Sequence, residues 1–369
     1  MLALDWAKAF DCFNVNAILR ALHQLGVPEH FVGIIKRLLE GRRFFVEDHG
    51  VKSRSRAQLS GVSQGCPLSP LLFIMIMTVM MHDAVELLPA EARAAYDRGD
   101  LADIVYADDT LLLGMTQAHL QHYLHAITLA GKAYGLELHV KKFQLINVRC
   151  QNTLTTLCGS IVEPAAEMSY LGTILTEEGC VDRELNARIG MAKKEFRSLS
   201  KVWSKSILGS RRKIRIFETL VLSKLMYGLA ACCLNAAQRR RLDGFNARCL
   251  RQILGIGSAF ETRVSNAAVL QRAGKTAATE FLLRQQLSLF GKALRAPPDA
   301  ALHTCAFVPG SALPAVSHHI RRRGRPRTEW VPTLLPAAES MSGHSRFFGL
   351  RSFAEDQPTW KAHVNSCPF

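Results

Sequence analysis

Two adjacent carboxylates, Asp108 and Asp109, sit between two short apolar runs, Ala102-Asp103-Ile104-Val105-Tyr106 before them and Thr110 to Leu113 after. Both runs have strand composition, and a two-residue polar break between strands predicts a tight hairpin turning at Asp108-Asp109. Such a turn holds two negative charges at one rigidly backed point. Crowded like charges need compensation, and a divalent cation supplies it most economically. Taken alone, the stretch fits a solvated acidic turn at least as well, so its meaning depends on the remaining chain.

Charge is the next constraint. The 369 residues carry a formal net charge of +15, unevenly spread. Residues 1–149 hold 15 Lys/Arg and 15 Asp/Glu, and residues 150–182 hold five acids and no base. Residues 183–251 hold 17 bases against four acids, and residues 252–369 hold 14 against seven. A neutral front followed by a basic helical stretch fits a polyanion gripped by one part and worked on by another, which points to nucleic acid. A generally basic protein with solvated helix faces is the plainer alternative. None of the ten cysteines forms a C-x-x-C pair, so neither a disulfide framework nor a zinc site is expected, and the setting is read as reducing and intracellular. The apolar run Leu68 to Met81 is shorter than the roughly 20 residues a spanning helix needs, so a soluble protein without a membrane partner is expected.

In chain order, Met1 to Trp6 reads as a strand ending in Asp5. Helices are expected from about Asn14 to Leu25 and from Phe31 to Leu39, with Asp11 as a helix N-cap. A strand with a turn at Asp48-His49-Gly50 follows. Gly61-Val62-Ser63-Gln64-Gly65-Cys66-Pro67-Leu68-Ser69-Pro70 describes a glycine-bearing loop feeding a helix, apolar on nearly every face and so expected to be buried. After the acidic hairpin come a helix from about Gln117 to Tyr134 and a strand from Phe143 to Val148. Strand, helices, hairpin, helix, strand predicts an α+β fold on an antiparallel sheet. Beyond residue 150 a short β-like segment leads into helices at about 182–203, 210–231, 236–254, 260–273 and 277–295, then a Pro- and Ser-bearing tail.

If their strands are neighbours, Asp5 and Asp108/Asp109 converge. That would supply oxygen ligands for two Mg²⁺ ions, the arrangement of in-line phosphoryl transfer. Here a family resemblance enters. Leu4-Asp5-Trp6-Ala7-Lys8-Ala9-Phe10-Asp11 resembles motif A of reverse transcriptases from non-LTR (LINE-type) retrotransposons. Gly61 to Pro70 resembles their motif B, Tyr106-Ala107-Asp108-Asp109 their motif C, and Gly135-Leu136-Glu137-Leu138-His139-Val140-Lys141-Lys142 their motif D. The likeness continues in Tyr170-Leu171-Gly172, Leu225-Met226-Tyr227-Gly228 and Arg248-Cys249-Leu250-Arg251, covering roughly residues 1–256.

The resemblance implies a right-hand polymerase palm with partial fingers at 1–150. A mostly helical thumb and connection region at 151–296 would follow, and the composition of residues 297–369 predicts a basic, poorly packed C-terminal tail. It implies RNA-directed DNA synthesis, with Asp5 and Asp108 as metal ligands for two Mg²⁺ (Mn²⁺ as an alternative) and Asp109 as an auxiliary carboxylate. Phe10 falls at the position of a steric gate under the deoxyribose, or else is a core phenylalanine. Gln64 and Gly65 would line the nucleotide pocket, and Lys142 would protonate the leaving pyrophosphate. The partners implied are dNTPs, an RNA template, a DNA primer and chromosomal target DNA, with action in the nucleus or cytoplasm. Arg211, Arg212, Lys213, Arg239, Arg240 and Arg241 are candidates for phosphate contacts. Arg323, Arg325 and Arg327 lie in a run that resembles a minor-groove-reading hook and equally fits a nuclear-import signal or a plain basic tail.

Ser63, His139 and Phe143 depart from residues common in the family. The chain opens four residues before Asp5, so the upstream fingers and their cationic clamp on the triphosphate are expected to be absent and synthesis weak or nil. A group II intron maturase shares the palm motifs but would carry a splicing domain after the thumb, of which the residues give no sign. A non-catalytic nucleic-acid-binding remnant of a retroelement is the reading from a different class.

Overall fold

The computed structural model describes residues 1–205, 207–308, 314–315, 329–344 and 347–366, the side chains of Phe347 and Phe348 excepted. It forms two compact units, Met1–Cys180 and Val181–Phe369. The division falls at 180 rather than the expected 150, because residues 151–180 pack onto the first unit.

The first unit is built on β1 (Leu2–Leu4), which starts the chain in the centre of a sheet. α1 (Ala9–Cys12), α2 (Val15–Gln24) and α3 (Glu29–Leu39) follow. Asp11 lies inside α1, and it is the Asn14 side chain that caps α2, accepting from the Asn16 amide at 2.8 Å. β2 (Arg43–Phe44), β3 (Glu47–Asp48), β4 (Val51–Lys52) and β5 (Arg56–Ala57) make a nested hairpin turning at His49-Gly50. Then come α4 (Ser69–Glu86), α5 (Ala90–Asp97), β6 (Leu101–Tyr106), β7 (Asp109–Gly114), α6 (Gln117–Ala133) and β8 (Gln144–Leu145).

The sheet order is β6-β7-β1-β8, with every pair antiparallel. Strand alternation assigns its two faces. Leu2, Leu4 and Leu112 join the main core with α2, α4 and α6, while Ala3, Leu111 and Leu113 face a smaller cluster around Ile146 and Met168. Met168 comes from β11 (Glu167–Tyr170), which pairs with β12 (Thr173–Thr176) and covers that second face. The earlier hairpin, β9 (Leu154–Thr155) with β10 (Ile161–Val162), is tied to α6 by Gln121, whose Oε1 accepts from the Thr155 amide at 2.8 Å. These two hairpins are why residues 151–180 belong to the first unit. Asp103 of β6 accepts from Tyr96 and Tyr123 at 3.0 and 2.6 Å, so this acid braces the sheet.

Contrary to expectation, α4 is not buried all round. Leu72, Phe73, Ile76, Met77 and Met80 enter the core, but Leu71 and Ile74 are 55% and 58% exposed. Composition alone would let this helix cross a membrane, yet over half of it is buried as the central helix of this core.

The second unit is helical: α7 (Val181–Ser198), α8 (Ser200–Ser204), α9 (Ser210–Ile216), a π-helical stretch Phe217–Leu222, α10 (Ser223–Met226), α11 (Ala236–Ile253), α12 (Ala259–Thr262), α13 (Asn266–Ala273), α14 (Ala278–Arg295), α15 (Ala301–Thr304), α16 (Trp330–Ser342), α17 (Phe347–Glu355) and α18 (Gln357–Ser366). One core gathers Leu185, Phe196, Trp203, Phe217 and Leu250, and a second gathers Phe290, Phe307, Leu334, Leu350 and Trp360. α14 serves both, giving Leu282 to the first and Leu287 and Phe290 to the second. The tail expected to be poorly packed therefore supplies, at residues 330–366, three helices of a packed core. Trp360 donates its Nε1–H to the Leu287 carbonyl at 3.1 Å, and a Cβ built on Gly291 would stand 2.4 Å from that nitrogen. Gly291→Ala should accordingly lower stability by about 1–3 kcal/mol, read as a lower urea midpoint in circular dichroism. An unchanged midpoint would contradict the packing of α18 on α14.

Candidate active site

The β1–β7 register pairs Leu4 with Thr110, and the next step along both strands brings Asp5 beside Asp109 at one end of the sheet. Side chains hold the same register, since the buried Trp6 indole donates to Thr110 Oγ1 at 3.2 Å. The hairpin turns one residue earlier than expected. Tyr106 pairs with Asp109, so Ala107-Asp108 is the turn and Asp109 opens β7. Ala107 sits at φ +54°, a left-handed conformation that glycine adopts more readily, so the turn stores local strain.

The 135–142 segment lies along the start of the chain. The Ala7 amide donates to the Glu137 carbonyl and the His139 amide to the Asp5 carbonyl, each at 2.8 Å. This brings the Lys142 ammonium to 3.0 Å from Asp5 Oδ2. Lys142 is 59% exposed and Asp5 32%, so solvent screens the pair and it is weak as a stabiliser. Asp5, Asp108, Asp109 and Lys142, far apart in sequence, are thereby brought together.

The glycine-bearing loop docks onto α1. Gly61 donates to the Phe13 carbonyl at 2.8 Å and Val62 to the Phe10 carbonyl at 2.7 Å. Gly61 has φ +73°, and a Cβ there would lie 2.5 Å from Asp11 Cα, so both conformation and contact exclude other residues. Phe10 is half-buried and stacks on Phe73 with ring centroids 4.0 Å apart. Gln64 and Gly65 are exposed, with open space where a Gly65 Cβ would point. Sequence reading did not single out Tyr170 as a site residue. Its hydroxyl donates to the Ile104 carbonyl at 3.0 Å, and burial, then the charge of Asp109, push its phenol upward. The signal was the Leu171-Gly172 turn, both residues at positive φ, which fixes where the β11–β12 hairpin ends.

Desolvation, then repulsion from Asp108 and from Asp5, holds the Asp109 carboxyl above the usual carboxylate range. The set fits a cation on charge. Among the described residues, however, no three His, Cys, Asp or Glu side chains form a group able to hold a metal alone. That suits an ion such as Mg²⁺, which takes one or two carboxylates and completes its shell with water and phosphate.

The basic candidates divide. Arg211, Arg212 and Arg240 are exposed. Lys213 is buried and donates to the Trp203 carbonyl at 2.7 Å, so it is a strut between α9 and α8 rather than a phosphate contact. Arg239 bonds the Leu234 carbonyl at 3.2 Å, and Arg241 bonds Asn186 and approaches Asp182 at 3.6 Å. Arg323, Arg325 and Arg327 lie outside the described residues.

An acid whose folded pKa is raised is destabilising above that pKa, and the penalty fades as pH falls through it. Asp109→Asn should therefore melt above wild type at pH 7 in metal-free buffer, with the difference closing in acid. A variant melting at or below wild type at pH 7 would contradict the carboxylate crowding.

Parts of the chain are similar to known proteins. Residues 1–175 match the reverse transcriptase (RNA-dependent DNA polymerase) family. The chain is 30% identical over 148 residues to the Pol polyprotein of the type-2 retrotransposable element R2DM of Drosophila melanogaster, covering 40% of this chain and 14% of that protein. It is 26% identical to the corresponding R2 protein of Nasonia vitripennis (60% and 22% covered), and 25% identical to the RNA-directed DNA polymerase of the mobile element jockey of Drosophila melanogaster (70% and 29%). The chain thus spans less than a third of the length of these relatives. A solved apo telomerase from Candida tropicalis aligns over 79% of this chain and 49% of its own, at 14% identity and a TM-score of 0.39. Residues 1–175 thus resemble a reverse transcriptase domain, and the curated relatives are Pol polyproteins of R2 retrotransposable elements and the RNA-directed DNA polymerase of the mobile element jockey.

Proposed function

We propose that this chain performs RNA-templated DNA synthesis by metal-assisted nucleotidyl transfer at the Asp5–Asp108–Asp109 end of the sheet. The observation that carries the reading is the convergence of carboxylates from β1 and the β6–β7 hairpin, with repulsion among them felt at Asp109. Reverse transcriptases generally use divalent metals, and hard carboxylate oxygens favour Mg²⁺, with Mn²⁺ an alternative. Asp5 and Asp108 would hold two such ions, with Asp109 as the auxiliary ligand. When bound, they would activate a primer 3′-hydroxyl and offset charge on the departing pyrophosphate.

The remaining groups supply positioning and a proton. Lys142, held against Asp5, is the proton donor for the leaving pyrophosphate. Phe10, braced by Phe73, offers the edge against which a sugar is sorted for its 2′-hydroxyl. Gln64 and Gly65 leave room for a nucleotide and its paired base. Arg211, Arg212 and Arg240, exposed members of the basic set, are suited to the phosphates of an RNA template and DNA primer. Chromosomal DNA as target, and nuclear or cytoplasmic action, belong to the same proposal.

With a ribonucleotide homopolymer template, its deoxynucleotide primer and Mg²⁺, the expected outcome is slow incorporation of the matching dNTP. Asp108→Ala should reduce it at least about 100-fold, the scale on which removing one catalytic electrostatic group acts. Incorporation that survives Asp108→Ala would overturn the assignment. Equal template binding by wild type and the Asp5/Asp108 double alanine, with no synthesis by either, would overturn catalysis and leave a nucleic-acid-binding protein.

A further inference from the structure

The loop between α11 and α13 presents an aromatic ring that neither core uses. Phe260, in the single turn of α12, is 81% exposed. The Arg263 guanidinium carbon lies 5.4 Å from its ring centroid, within cation–π range. Leaving such a ring bare forgoes the burial of a large apolar side chain, and yet the loop that carries it is firmly built. A reciprocal Ser258–Glu261 capping box closes the start of α12, and Arg263 ends it at φ +55°, a strained conformation for arginine.

Beneath the loop lies Arg251 of α11, only 7% exposed. Its Nη1 donates to the Gly257 carbonyl at 3.4 Å, and its Nη2 to the Val264 carbonyl at 2.6 Å and to Asn266 Oδ1 at 3.0 Å. Burying a guanidinium is costly unless its donors are used. Here they join the residue before the N-cap of α12 to the residue after its C-cap, so the buried charge fixes the turn that displays Phe260.

The surroundings choose among partners. Residues 236–275 hold eight Lys/Arg against two Asp/Glu, and Arg240, Arg248, Arg263 and Arg272 are exposed. The exposed neighbours of the ring in sequence are Ser258, Ala259, Glu261, Thr262 and Arg263, not the apolar collar that a protein partner or a lipid surface would use. A fixed ring in a basic field matches the chemistry of single-stranded nucleic acid, whose bases stack on aromatic faces while cations follow its phosphates.

We propose that Phe260 and Arg263 form a stacking platform for an unpaired base of single-stranded nucleic acid. The proposal rests on the preceding reading only in taking a polynucleotide as partner, and it asks nothing of Asp5 or Asp108. Phe260 offers a flat face, Arg263 adds charge over the ring, and Arg251 is a positioning residue.

The test uses the full chain and a labelled single-stranded oligoadenylate. Phe260→Trp should keep wild-type affinity, and its emission should be quenched on binding. The four native tryptophans are buried or half-buried, so an exposed indole at 260 reports selectively. Phe260→Ala and Phe260→Leu should each weaken binding ~5- to 100-fold without changing its salt dependence. Arg263→Ala should lower the slope of log affinity against log salt by about one. Wild-type affinity in Phe260→Ala, or an indole at 260 that oligoadenylate does not quench, overturns the platform while leaving a nucleic-acid partner in place. No oligoadenylate binding by wild type overturns both readings. Quenching by anionic phosphatidylserine vesicles but not by oligoadenylate overturns the platform in favour of a lipid surface.

Discussion

The pairing of β1 with β7 is the constraint on which the candidate site depends. Leu2 and Leu4 face the main core, and a shift of one residue would turn both out of it. Packing therefore demands the Leu4–Thr110 pair, and that pair sets Asp5 beside Asp109. The Trp6–Thr110 hydrogen bond closes the same register from the side-chain level. Because the carboxylates are crowded by a register the core requires, repacking does not relieve them. Protonation, the nearby Lys142 or a cation does. The site's appetite for positive charge is thus a consequence of how the sheet is filled, and the loop held by Gly61 leaves open space beside Gly65.

A similar economy runs through the basic second unit. Its cations fall into two populations that composition does not separate. Lys213 and Arg251 are buried and spend their donors on backbone carbonyls, and Arg188 is buried against Glu184 and the Tyr227 ring. These hold helices and loops in place. Arg211, Arg212, Arg240 and Arg248 stay exposed and set the field a polyanion would meet. An excess of Lys and Arg is therefore an upper bound on phosphate contacts, and the buried members explain how the exposed ones keep a fixed arrangement.

Much of the first unit was legible because its strands alternate and its helices carry one apolar face. The Asn14–Leu25 expectation became α2 at Val15–Gln24, and the Gln117–Tyr134 expectation became α6 at Gln117–Ala133. Convergence of Asp5 with the acidic hairpin followed from two strand-end carboxylates and a sheet able to bring them together. The turn itself was misplaced by one residue because Ala107 accepts a left-handed φ that no local rule assigns to alanine. α4 misled because its composition is apolar on every face, and nothing local says which side another element will cover. The 330–366 helices were missed for the opposite reason. Pro336 lies inside α16, and a Pro- and Ser-bearing composition hid a segment whose Leu334, Ala338 and Trp360 fill a core. Lys213 read as a phosphate contact, since only the fold brings the Trp203 carbonyl to its ammonium.

Affinity cleavage with Fe²⁺ tests the convergence most directly, because iron bound in place of Mg²⁺ generates hydroxyl radicals that cut the nearest backbone. With Fe²⁺, ascorbate and peroxide, the chain should be cut next to Asp5 and next to Asp108-Asp109 together. Excess Mg²⁺ should suppress both cuts, and Asp108→Asn should remove both. Cutting confined to one of the two segments, or cutting indifferent to Mg²⁺ and to Asp108→Asn, would contradict a shared divalent site at the end of this sheet.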